Sequence, residues 1–183
     1  MSSPNHNGRV FWTTAAAIIC LDVVTKVLAV KSLDVHIPKR VIGDVVRLTL
    51  AFNPGAAFSM SLGDYSRYIF GVFAIVALFI LWRLYRTTTA GDTTRVLALG
   101  LAWGGAAGNL LDRFRSARGV VDFIDIGVGD VRFWTFNVAD SAVTIGALLL
   151  AWVLWQEDRA ANAAAQAGTG DSAREGGEAR SSS

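Results

Sequence analysis

Long apolar runs separated by short polar connections dominate this chain. Four blocks, residues 10–30, 65–82, 96–111 and 133–155, approach the roughly 17–25 residues that a helix needs to cross the hydrocarbon core of a bilayer. The pattern predicts a mainly α-helical polytopic membrane protein with four transmembrane helices. Between the first two blocks, at about residues 31–64, the apolar positions shorten into β-branched runs such as VVRLTL, broken by Pro38, Gly43, Pro54 and Gly63. That change predicts a small strand-rich insert outside the bilayer. Residues 1–9 read as a polar tail. Arg9 precedes the first block as it would in a cleavable signal peptide, but the block is overlong, lacks a small residue at the cleavage position near Cys20 and embeds Asp22 and Lys26. The expectation is a retained helix. From Gln156 onward, Ala, Gly, Ser and isolated charges predict a disordered tail over residues 156–183, leaving residues 10–155 as the membrane domain.

The polar residues inside the blocks are not scattered at random. Asp22, Thr25 and Lys26 recur at i, i+3 and i+4 and share one helical face, either as an ion pair near the membrane surface or as the border of a polar cavity. In the third block Gly100, Gly104 and Gly108 form a smooth ridge that another helix can approach closely. A polar face of Asn109, Asp112 and Arg113 begins where that ridge ends. The fourth block opens with Asn137, Asp140 and Thr144 on one face. In AFNPGAAFSM, Asn53 either offers its amide to an extended peptide or serves an Asn-Pro-Gly turn. Finally, VVDFIDIGVGDVRFWTFNVAD (residues 120–140) places Asp122 inside a hydrophobic run.

Composition narrows the chemistry. The chain is 52% hydrophobic and only 17% charged, with a net charge of +2 and a pI near 9.0. Its basic residues stand singly at helix ends instead of forming a patch, which argues against a nucleic-acid partner. Lys and Arg are more numerous on the first and third connections than on the termini and second connection, so charge alone does not favour cytoplasmic termini. The single Cys20 excludes an intramolecular disulfide, and His6 and His36 fit no zinc-ligand spacing, so no metal or cofactor is expected.

Charged side chains within a bilayer cost several kcal/mol and tend to face a cavity, a partner or water. With no Ser–His or Cys–His arrangement, the remaining hydrolytic chemistry is an aspartate dyad: one ionised carboxylate takes a proton from water while a neutral one polarises the scissile carbonyl. Asp140, which has no basic residue within a helical turn, suits one half. Asp112, Asp122 and Asp125 are all candidates for the other. A rival reading, a small proton- or cation-coupled transporter with Asp22, Lys26, Asp112 and Asp140 as a relay, predicts an internal repeat that the sequence does not display. A non-catalytic scaffold built on the glycine ridge leaves Asp140 unexplained.

Five segments in order, LDVVTK (21–26), NPGAAFS (53–59), GGAAGNLLDR (104–113), VVDFI (120–124) and FNVADSAVTIG (136–146), resemble the lipoprotein signal peptidase (signal peptidase II) family. The resemblance implies an aspartyl endopeptidase of the bacterial inner membrane, with four transmembrane helices, a small extracytoplasmic β-cradle and both termini cytoplasmic. Such enzymes remove signal peptides from diacylglyceryl-modified prolipoproteins, cutting before the lipidated cysteine, without a metal, and are inhibited by the cyclic peptide globomycin. The resemblance assigns the catalytic pair to Asp122 and Asp140, supported by Asp22, Lys26, Asn53, Asn109, Asp112, Arg113 and Asn137. A monomer is expected to work on prolipoproteins among membrane lipids, with the substrate's signal helix packed beside the glycine-ridged helix.

Overall fold

The computed structural model describes residues 4–55 and 65–181, with side chains over 6–55 and 65–164. Four helices and a four-stranded antiparallel sheet follow one another: α1 (Pro4–Ser32), β1 (Lys39–Ile42), β2 (Val46–Asn53), α2 (Ser66–Thr87), α3 (Thr93–Arg115), β3 (Val120–Val128), β4 (Val131–Arg132) and α4 (Val138–Ser181). The strands lie in the order β1-β2-β3-β4. The expected insert contributes β1 and β2, and residues 56–64 of it lie outside the described residues. α4 runs on through the stretch from Gln156 for which composition predicts disorder.

Three helices have segments long and apolar enough to cross a membrane: His6–Ser32, Ser66–Thr87 and Val138–Ala164. α3 does not meet that criterion, which corrects the expectation of four apolar spans. Its polar end, Asn109, Asp112 and Arg113, and its glycines dilute the apolar content. Its position explains why that is tolerated, because α3 packs on α1, α2 and α4 and buries Val96, Ala98, Leu99 and Ala102 together with four of its glycines. A helix that faces protein instead of lipid has no need of a continuous apolar surface. α2 is the opposite case, leaving Val72, Phe73, Ile75, Val76, Phe79 and Ile80 exposed.

The glycine ridge is occupied from within. A Cβ at Gly100 would come within 3.1 Å of the Phe11 carbonyl oxygen, and one at Gly104 within 2.9 Å of that of Ala15, both on α1. Gly105 faces α4 so closely that a Cβ would overlap the Ala139 carbonyl. The ridge therefore holds α1 against α3, with Gly105 beside it holding α4, and is the close packing surface that the glycine repeat predicts. Above it, the fully buried Phe11 stacks on Tyr85 of α2 with ring centroids 4.1 Å apart.

Polar contacts mark the two ends of the bundle. At one end the Asn7 amide donates to the Thr89 carbonyl at 3.0 Å and accepts from the Gly91 N–H at 3.3 Å, tying α1 to the α2–α3 turn. Nearby, Arg95 at the start of α3 pairs with Glu157 of α4. At the opposite end lies the sheet, in which Ala51 of β2 stands opposite Asp122 of β3. The segment before α4 is pinned to β3 by reciprocal bonds, Phe123 N–H to the Phe136 carbonyl and Phe136 N–H to the Ile124 carbonyl, each 3.0 Å. Asn137 and α4 start directly beside Asp122 as a result.

Candidate active site

The N-terminus of α4 organises the site. Asn137 stands one residue before the helix and is fully buried. Its Oδ1 accepts the Asp140 N–H at 2.9 Å, while Asp140 Oδ2 accepts the Asn137 N–H at 3.1 Å, a reciprocal capping box that satisfies two backbone donors and fixes the Asp140 side chain. The next backbone N–H, that of Ala139, donates to Asp22 Oδ1 at 3.0 Å. Asp22 is thereby a fixed anion at a helix N-terminus, where the exposed N–H groups favour negative charge.

From that cap a chain of amides joins two carboxylates. Asn137 Nδ2 donates to Asp122 Oδ1 at 2.7 Å and to Asn109 Oδ1 at 3.1 Å, and Asn109 Nδ2 donates to Asp140 Oδ1 at 2.7 Å. Lys26 fixes the orientation of Asn109 by donating to its Oδ1 at 2.9 Å. The same ammonium, 3% exposed, lies 2.7 Å from Asp22 and 2.9 Å from Asp112. A buried cation is tolerable only when paired in this way. Asp112 in turn accepts the Val121 N–H at 3.2 Å, which holds β3 at the residue preceding Asp122.

Asp122 and Asp140 both line one cleft of about 1030 Å³, together with Asn53, Arg113, Ser141, Thr144 and an apolar wall that includes Phe52, Phe70, Trp134 and Phe136. Asp122 is 4% exposed. Burial, and then the nearby charge of Asp140, pushes its carboxyl up from the ordinary 3.8 to about 7, against the hydrogen bonds from Asn137 and Asn53 and the more distant charge of Lys26. Asn53 serves the turn and reaches Asp122 as well. Its Oδ1 accepts the Gly55 N–H at 3.0 Å within the turn, and its side chain also bonds Asp122. Gly55, at φ 114°, is pressed against Phe70, to which a Cβ would come within 2.8 Å. Arg113 donates from Nη1 to the Asn109 carbonyl at 3.1 Å and lies 6.0 Å from the Phe70 ring centroid.

The other sequence candidates fall elsewhere. Asp125 is bound by Arg132 Nε at 2.9 Å and Thr49 Oγ1 at 3.0 Å, and does not line the cleft. Neither does Asp112, which faces Lys26. Thr25 turns back to its own helix, donating to the Leu21 carbonyl at 2.7 Å. The structure adds residues that sequence reasoning did not single out: His36, whose φ of 61° is the only positive value at a non-glycine among the described residues, and the aromatic wall. The run FWTF between VVDFI and FNVAD is a visible signal for that wall. No sequence signal marks His36.

A family model described as Signal peptidase (SPase) II matches residues 14–156. Over 155 residues, 81% of the chain, it is 43% identical to the lipoprotein signal peptidase of Mycolicibacterium smegmatis and spans 62% of that protein's length. It is also 43% identical over 141 residues to the lipoprotein signal peptidase of Desulforapulum autotrophicum, covering 74% of this chain and 85% of that one. A solved structure described as a bacterial membrane enzyme superposes with a TM-score of 0.76 at 28% identity, covering 86% of this chain and 94% of the other.

Proposed function

The chain belongs to the signal peptidase II family of aspartic peptidases, and on that premise we propose that it removes signal peptides from diacylglyceryl-modified prolipoproteins, cutting before the lipidated cysteine. Asp122 and Asp140 are the catalytic pair. The observation that carries this reading is the amide bridge that joins both carboxylates in one cleft. Asp140 accepts two N–H donors at a helix N-terminus and acts as the carboxylate, whereas Asp122, pushed up to about 7, holds the proton. A water between them gives its proton to Asp140 as its oxygen attacks the scissile carbonyl, whose oxygen takes the proton of Asp122. The tetrahedral intermediate collapses as the Asp140 carboxyl proton passes to the leaving amine, the C–N bond breaks, and a hydroxyl of the gem-diol returns its proton to the Asp122 carboxylate, which restores the shared proton. Asn53 and Arg113 orient the substrate, and Asn109, Asn137, Lys26, Asp112 and Asp22 hold the pair in place. The transporter reading has no support beside this family membership.

The protein spans the bacterial inner membrane four times, with residues 10–155 as the peptidase unit. α3 counts as the fourth span because its start is tied to the end that holds Asn7 and Glu157 while its last turn reaches the sheet end. Its 23 residues cover about 35 Å at 1.5 Å per residue. Both termini are then cytoplasmic, the sheet is an extracytoplasmic cradle, and a globomycin-type cyclic peptide would compete for the cleft of a monomeric enzyme embedded among lipids.

Incubating the purified protein in detergent with a diacylglyceryl-modified precursor, and the same precursor unmodified, tests this function by product mass. The expected result is one cut immediately before the modified cysteine and an intact unmodified precursor. A cut at another bond, or equal cutting of both, would overturn it.

A further inference from the structure

A second, smaller cavity opens between α2 and α3, directly beside the catalytic cleft. About 190 Å³ in volume, it runs along Gly71, Val72 and Ile75 of α2 against Leu110 of α3, with Arg67 and Arg113 at its mouth. From Arg67 to Ile75 the helix rises about 12 Å. Its lining is otherwise apolar, and it lies on the helix that exposes most of its surface. Arg113 lines both this groove and the cleft that holds Asp122 and Asp140. Its Nε–H is buried without a hydrogen-bond partner among the described residues. A buried unpaired donor is costly, and an acceptor arriving at that point relieves the cost.

We infer that this groove holds an acyl chain of the substrate's diacylglyceryl group, with Arg113 donating to a glyceryl ester carbonyl at the junction of groove and cleft. The inference rests on the proposed prolipoprotein activity, from which it takes the chemistry of the occupant. A cut made just before a lipidated cysteine puts the glyceryl group on the side chain of the very residue whose amide nitrogen leaves. The chains must therefore leave the cleft towards lipid close to the carboxylates, and the groove beyond Arg113 is an apolar exit that starts there. Gly71 sets its depth. A Cβ at Gly71 would meet nothing within 4 Å, so a larger side chain there starts from open space on the wall of the groove.

Two measurements test the inference. The first compares kcat/KM for cysteine-lipidated peptides bearing two palmitoyl or two butyryl chains. Gly71→Phe is expected to lower the palmitoyl-to-butyryl ratio at least tenfold relative to the native protein, chiefly through KM, and an unchanged ratio would overturn the proposal. The second does not depend on turnover. A lipidated peptide with a diazirine midway along one acyl chain is expected to label residues 71–75 of the native protein. Labelling confined to α1 or α4 overturns the proposal. So does labelling of 71–75 by a diazirine-bearing phospholipid that excess lipidated peptide fails to suppress, since bulk lipid then holds the groove. A native protein that binds and labels as expected but cuts neither peptide would defeat the proposed activity while leaving the groove assignment standing.

Discussion

Because burial and the charge of Asp140 move the Asp122 carboxyl from 3.8 to about 7, the folded protein binds a proton between those values that the unfolded chain releases. Stability therefore falls as pH rises from about 4 to 7, at up to roughly 1.4 kcal/mol per unit, and above 7 the whole cost of the buried charge is present. Asp122→Asn keeps the shape and still accepts the Asn137 amide, so the variant should melt several degrees higher than the native protein at pH 8, with the gap closing towards pH 4. Thermal melting across that range in detergent reads the effect. A variant that melts lower than the native protein at pH 8 would contradict it. The same residue should shape turnover under the proposed mechanism: kcat/KM is expected to fall as pH rises through about 7, where Asp122 loses its proton.

At the scale of elements, the start of α4 combines two jobs in Asn137, capping the helix and bridging the carboxylates. Replacing it with Ser keeps a capping oxygen and removes the Nδ2 donors, whereas Ala removes both. Asn137→Ser should lose cleavage rate by about 10²-fold, and Asn137→Ala should lose a comparable factor plus about 1 kcal/mol more stability, the usual worth of an N-cap. Parallel kinetics and melting curves separate the two roles. The helix contacts make a second contrast. Gly105→Ala drives a methyl into the Ala139 carbonyl, and should cost about 1–3 kcal/mol or more. Gly71→Ala meets no neighbour and should be neutral or stabilising by up to about 1 kcal/mol, as expected for Ala over Gly in a helix interior. Much of this was legible in the sequence as spacing. The glycine repeat announced a close helix contact and the polar face opening the fourth block marked Asp140, whereas Asp122 was separated from Asp112 and Asp125 only by the family resemblance of VVDFI. What spacing does not reveal is who fills a surface. The glycine ridge met α1 and α4 of the same chain, and Asn137, read as part of a helical face, stands just ahead of the helix. Asp112 stayed a possible dyad partner because Lys26, its counter-ion, lies far away in sequence, and no local pattern encodes that pairing.

Across the whole molecule, a bundle whose two ends carry different contacts positions a polar site next to lipid. Asn7, the α2–α3 turn and Glu157 mark one end, while the sheet and the amide-bridged carboxylates mark the other. With Cys20 replaced by Ser, single cysteines at His6, Thr89 and Asn162 should react with an impermeant maleimide only from the cytoplasmic side. Cysteines at Ile42 and Asp130 should react only from the outside. Reaction of the Thr89 position from the outside would contradict four spans. A hydropathy criterion passes over α3 because hydropathy measures what lipid would see, and α3 is largely enclosed by its neighbours. The proposed peptidase chemistry depends on two carboxylates acting together in one cleft. Its most direct measurement is the cleavage rate of a diacylglyceryl-modified precursor by Asp122→Asn and Asp140→Asn, each purified and shown by its melting curve to be folded. The prediction is a loss of at least about 10³-fold in kcat for each single variant and little further loss in the double variant, as expected of groups that work as a unit. Near-native cleavage by either single variant would contradict it.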